Sequence, residues 1–185
     1  WSSDVCSSDL AAMHSGLQTR GVTGFRGRIA PEQLPPPVHP SDAHHRPRAS
    51  ILAIENTHNS SGGAVWPMAD LHAVAEAARE LGMRLHFDGA RIANAAIALG
   101  LPAAEVCRGF DTVTLCLSKG LGAPLGAVIA GSEELMRKAR VEKHRFGGAM
   151  RQAGVIAAAG VYALEHNVGR LADDHARAKR LAEGL

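Results

Sequence analysis

Apolar and polar positions along the chain follow two periods in turn, and the switches between them lay out its elements. Ile51 to Glu55 is a short apolar run, Leu85 to Asp88 a second, and Val113 to Leu117 a third that is β-branched and apolar. Runs of that length bounded by turn residues predict buried strands. Between the first two, Leu71, Val74, Ala75, Ala78 and Leu81 recur at i, i+3, i+4, i+7 and i+10 within Met68 to Leu81. That stripe predicts an amphipathic helix, and Gly82 supplies its stop. Strand, helix and strand in this order predict a βαβ unit with parallel strands.

The pattern continues past Asp88. A helix from about Arg91 to Leu99 ends at Gly100, Pro102 to Arg108 forms another short helix, and the third strand follows. Leu125 to Ala130 reads as an antiparallel return strand. Ser132 is placed to cap a helix through Arg140, with Glu133 and Glu134 early and Arg137, Lys138 and Arg140 late, in accord with the helix dipole. Met150 to Glu165 predicts a long Ala-rich helix, and about Val168 to Glu183 a further one. Residues 16–50 are rich in glycine and proline and predict loops, with short extended pieces near Gln18 to Arg20 and Ile29 and one helical turn opening at Pro31. The fold class is therefore α/β, a mostly parallel sheet flanked by helices.

Composition narrows this. The 185 residues suffice for one domain with a real core, and 46% hydrophobic content suits a globular chain. No apolar run approaches the roughly 20 residues needed to span a bilayer, so no membrane partner is expected. Aromatics are scarce, so helices are expected to pack through Ala, Leu and Gly. A net charge of +2 argues against a nucleic-acid partner. Cys6, Cys107 and Cys116 follow no metal or disulfide spacing, which predicts no metal site and a reduced, cytoplasmic location. Residues 1–10 repeat Ser-Ser-Asp, lack the regions of a secretory signal and read as a non-native scar on a fragment.

The candidate chemistry gathers at strand ends. Leu117-Ser118-Lys119-Gly120 places a lysine at the tip of an apolar strand beside Gly120 and Gly122. A desolvated stem would favour its neutral amine, the form that attacks carbonyls; a snorkelling strand-end lysine is the other reading. Asp88 ends the preceding strand, 31 positions upstream (119 minus 88). Ligands of open α/β sheets lie outside the carboxyl ends of the strands. An aspartate there can hold a protonated pyridine nitrogen while the lysine takes an aldehyde as an imine, the protein's share in pyridoxal phosphate enzymes. Asp88 could instead cap the next helix. Asn56-Thr57-His58-Asn59, at the end of the first strand, reads either as polar contacts to a ring or as an Asx-rich turn. His86 shares a strand face with Asp88, in the site or in the core. His44 and His45 lie in the Pro-rich loop, and Lys143 to Arg151 runs basic into glycine, a phosphate contact or a solvated face.

Four stretches in register resemble the threonine aldolase family of fold-type-I pyridoxal phosphate enzymes: ENTHN (55–59), HFDGAR (86–91), LSKGLGAPLG (117–126) and GGAMRQAGVIAAAGVYAL (147–164). The resemblance runs from about residue 16 to the end. It implies an incomplete large domain, with 11–165 part of the cofactor-binding domain and 166–185 leading toward a small carboxyl-terminal domain. It implies Lys119 as the Schiff-base lysine, Asp88 at the ring nitrogen, and Ser118, Asn56 and His58 beside the cofactor. It puts Arg91 near the cofactor and the substrate carboxylate, work suited to a planar guanidinium fork; a pair with Asp88, three positions back, is the other reading of Arg91. Arg151 would contact phosphate, with His144 standing where relatives often carry lysine. His45, rather than His44, would serve as base or orient a water. The reaction implied is retro-aldol cleavage of a β-hydroxy-α-amino acid, threonine or allo-threonine, to glycine and an aldehyde, in a homo-oligomer.

The departures are specific. The family's Gly-Thr phosphate turn and ring-stacking histidine have no match before residue 50, and its small-domain arginine would lie past Leu185. An aminotransferase, a β-eliminating lyase of the same fold type and a non-catalytic fragment remain as alternatives. A nucleotide loop is disfavoured, because Lys119 precedes the glycines where G-x-x-x-x-G-K-[ST] requires the reverse.

Overall fold

The structure, a computed structural model, describes residues 11–37 and 47–185. Four strands form one sheet in the order β1 (Ile51–Glu55), β2 (Arg84–Asp88), β3 (Thr112–Cys116), β4 (Ala127–Gly131). The first three run parallel, with Glu55 beside Asp88 and Asp88 beside Thr114. The fourth returns antiparallel, Thr112 opposite Gly131 and Cys116 opposite Ala127. Helix α1 (Met68–Glu80) joins β1 to β2, and α2 (Ile92–Leu99) and α3 (Ala103–Val106) join β2 to β3. Helices α4 (Glu133–Arg145), α5 (Gly154–His166) and α6 (Leu171–Glu183) follow the sheet. None of these helices is long and apolar enough to cross a membrane.

Alternation along the strands divides the sheet into two unlike faces. Leu52, Ile54, Leu85 and Phe87 are buried in one core with Leu71, Val74 and Ala78 of α1, Trp66, Ile92 and Val106. The stripe read from the sequence is the buried one because only that side of α1 meets the sheet. Glu55, His86, Asp88, Thr112 and Thr114 take the intervening positions and so belong to the other face. A second, smaller core gathers Ala93, Leu117, Leu121, Ala123, Ala163 and Leu171. It holds the segment after β3 against α2, α5 and α6. Small residues permit this approach: a Cβ on Gly160 would stand 2.8 Å from Leu117 Cδ1.

Several elements shift by a few residues from their expected places, each for a local reason. The pattern predicts a buried third strand, yet β3 is half-buried throughout and ends at Cys116; Leu117 leaves it to enter the second core. The return strand begins at Ala127 because Gly126, at φ +118°, is still turning. Ser132 Oγ accepts from the Leu135 amide as a cap, and α4 runs on to Arg145, with three basic residues in its last turn. Gln152, at φ +51°, interrupts the predicted Ala-rich helix, so α5 starts at Gly154. Turn residues 167–170 delay α6 to Leu171. The single turn at Pro31 is present as a 3-10 helix, Pro31–Gln33.

Candidate functional site

The parallel register brings Glu55, Asp88 and Thr114 side by side where β1 and β2 end. Asp88 Oδ1 accepts from the Ala90 amide at 3.0 Å and from Thr114 Oγ1 at 3.4 Å. Among the described residues both bonds fall on Oδ1, which leaves Oδ2 available to a further donor. Asp88 is therefore a turn-former rather than the cap of α2, a position that Arg91 occupies. Gly89 explains itself sterically: a Cβ there would lie 2.6 Å from the Thr114 carbonyl oxygen. Gly89→Ala is expected to push the Asp88 turn off β3 and to cost about 1–3 kcal/mol in denaturant unfolding.

Arg91 does not pair with Asp88. Its Nη1 lies 3.9 Å from Glu55 Oε1, across the gap between the two strand ends. His58 stands on the other side of the same carboxylate, Nε2 3.8 Å from Glu55 Oε2, while its Nδ1 hydrogen-bonds with Ser61 Oγ at 2.9 Å. Asn56 is fully buried. Its amide donates to the Asp88 carbonyl at 3.1 Å, and its Oδ1 accepts from the Trp66 amide at 3.3 Å. Asn56 Nδ2, also buried, has no partner among the described residues. A buried donor left without an acceptor costs about 1–3 kcal/mol, and Trp66 Nε1, close by in the core, is likewise without a partner among the described residues.

His86 lies on the Asp88 face and hydrogen-bonds with Thr112 Oγ1 at 2.8 Å. Burial pushes its imidazole below its ordinary value, and the Asp88 charge only partly opposes this. The unfolded chain therefore takes up a proton at higher pH than the folded chain does. Stability is expected to fall as pH drops through about 6.5 and to level off below the depressed folded value. Thermal melts at pH 7.5 and 5.5 check this, with a smaller drop expected in His86→Gln.

Lys119 lies three residues past the carboxyl end of β3, the neighbour of β2, and so at the same edge of the sheet as Asp88. Its loop is pinned from behind. The Gly122 amide donates to the Lys119 carbonyl at 2.9 Å, and Asn167 Nδ2 donates to the Leu121 carbonyl at 2.8 Å. Gly120 sits against Leu171 and Asn94, and Asn94 in turn bonds His175 of α6. The buried stem expected for Lys119 is not found. Leu117 and Leu121 enter the core on either side, and Ser118 and Lys119 stay exposed between them. His144 and Arg151 are exposed around the α4–α5 connection, and no hydrogen bond or ion pair joins them to Asp88, Arg91 or Lys119 among the described residues. His44 and His45 lie outside the described residues.

Two members of this arrangement escape sequence reading. Glu55, the first letter of ENTHN, reads there as the polar end of a strand, and only the register places it beside Asp88. Asn167, between two helices, bears on the lysine loop from 46 positions away.

The family model for beta-eliminating lyases matches residues 7–185. The chain belongs to that family. A probable low-specificity L-threonine aldolase 2 of Arabidopsis thaliana is 47% identical over 144 residues, which are 78% of this chain and 40% of that protein. The low specificity L-threonine aldolase of Escherichia coli is 42% identical over 176 residues, 95% of this chain and 52% of that one. The chain thus spans about half the length of the curated relatives it matches. A crystal structure from Listeria monocytogenes, assigned as an L-allo-threonine aldolase, superposes with a TM-score of 0.81 at 25% identity, over 95% of this chain and 46% of the other. The architecture is that of the large domain of fold-type-I enzymes, in part.

Proposed function

We propose that this chain carries the cofactor-binding part of a pyridoxal-phosphate-dependent aldolase. Its substrate class is β-hydroxy-α-amino acids such as threonine or allo-threonine, cleaved to glycine and an aldehyde. The observation that supports this best is the placement of Asp88, whose Oδ2 has no partner among the described residues, and Lys119 toward one edge of adjacent parallel strands. The orphaned Asn56 Nδ2, sealed beside that edge, fits a cofactor that brings an acceptor.

Lys119 would hold the cofactor covalently through its amine. Asp88 would keep a proton on the ring nitrogen, a carboxylate beside a cation being favoured where water is scarce. When bound, pyridoxal phosphate supplies an electron sink for the bond that breaks between Cα and Cβ. Arg91 would receive the substrate carboxylate, since a guanidinium offers two parallel donors to two oxygens. His58 and Ser118 would flank the cofactor, and Arg151 would reach its phosphate in the intact assembly. His45 is proposed as the base that takes the β-hydroxyl proton, directly or through a water. The second product, glycine, then needs a proton returned to Cα.

The intact protein is proposed to be a cytoplasmic homo-oligomer. Free thiols at Cys107 and Cys116 and the exposed apolar side chains Val155 and Tyr162 of α5 support that reading. Borohydride reduction after addition of pyridoxal phosphate, followed by peptide mapping, tests the assignment: label on Lys119 is expected, and label confined to Lys138, Lys143 or Lys179 would overturn it. Product analysis of a full-length relative carrying these motifs separates the aldolase from β-elimination, glycine plus aldehyde against ammonia plus a keto acid.

A further inference from the structure

Glu55 and Asp88 are paired residues on adjacent parallel strands, so two carboxylate side chains leave one face from backbone positions about one strand spacing, ~4.8 Å, apart. Like charges that close repel unless a cation or hydrogen bonds intervene. Glu55 meets both conditions. Oε1 accepts from the Asn59 amide at 3.2 Å and lies 3.9 Å from Arg91 Nη1, while Oε2 lies 3.8 Å from His58 Nε2. The Glu55 side chain is only 17% exposed, so water weakens these contacts less than it would at an open surface.

His58 is fixed in turn. Besides the Ser61 contact, Gly27 lies against its ring so closely that a Cβ on Gly27 would stand 2.1 Å from His58 Cγ. One carboxylate thus ties together the loop carrying Gly27, the turn after β1 and the turn after β2. Arg91 is 30% exposed, and among the described residues Glu55 is the one ion-pair partner of its side chain. A guanidinium has five donors in a rigid fork. Here one arm lies beside Glu55, and among the described residues no hydrogen bond engages the rest of the fork, which leaves donors for a second carboxylate.

We propose that Glu55 is a positioning residue, which sets how Arg91 presents its guanidinium to the carboxylate of an amino-acid ligand. The identity of that ligand rests on the function proposed above; the tether itself does not. Two readouts keep the failures apart. In the cofactor-free chain, the Arg91 guanidinium NMR signals report restrained rotation in the wild type and faster rotation in Glu55→Gln, with Glu55→Asp partly restoring the restraint. In the chain loaded with pyridoxal phosphate, absorbance titrations compare glycine with glycinamide, which lacks the carboxylate. Glu55→Gln is expected to weaken glycine about fivefold and to leave glycinamide within about twofold. Combining it with Arg91→Lys should add little to either single change, because both act through one interaction. An Arg91 signal unchanged by Glu55→Gln, or equal weakening of both ligands, would overturn the proposal. Failure of Lys119 to take the label would instead defeat the proposed function and leave the Arg91 signal to decide Glu55.

Discussion

Lys119→Ala is expected to abolish reducible capture of pyridoxal phosphate and to lower the proposed aldolase activity of the intact protein by on the order of 10²–10⁴-fold. The reason is positional. Lys119 is one of three exposed residues between Leu117 and Leu121, both buried in the second core, and its carbonyl is held by the Gly122 amide. The loop therefore presents this amine at the carboxyl edge of the sheet, and no other lysine shares that place. Because the side chain is exposed, its removal leaves no cavity, and the melting temperature should stay within a few degrees. Mass spectrometry of the reduced, digested protein checks the first outcome, and a thermal melt checks the second. An unchanged label would refute the role of Lys119 outright.

Asp88→Asn is expected to lower activity by about 10²–10³-fold while the fold persists. Asparagine keeps an oxygen that can accept from the Ala90 amide and Thr114 Oγ1, so the turn after β2 survives. What goes is the negative charge that would hold a proton on the ring nitrogen, and with it the stabilisation of charge developing at Cα. The absorbance of the bound cofactor should change and its affinity should fall, while far-UV circular dichroism remains that of the wild type. Asp88→Ala is a harsher probe because it also strips the partner from the Ala90 amide. A loss of activity with Ala but not with Asn would reassign Asp88 to a purely structural role.

These two residues are legible in the sequence because their signals are local. A polar residue ending an apolar run, followed by glycine, marks a strand end, and in a parallel sheet strand ends are where ligands sit. The same locality explains why the α1 stripe, the Ser132 cap and the antiparallel β4 agree with their reading from the chain. Arg91 falls in the turn expected of it but takes a different partner. Proximity along the chain suggests Asp88, three positions away, whereas the guanidinium reaches across the sheet to Glu55, 36 positions upstream (91 minus 55).

The order of the elements, the parallel βαβ core and the placement of Asp88 and Lys119 toward the carboxyl edge of the sheet were determined by the sequence, because hydrophobic period and turn residues act over a few neighbouring positions. Only the tertiary structure decided that Lys119 is exposed, that Asn56 is buried with a donor unmet among the described residues, and that Glu55 draws Arg91 and His58 to one carboxylate. Register, burial and charge pairing depend on segments brought together from tens of positions apart, and a one-residue change in strand pairing would turn Glu55 to the other face.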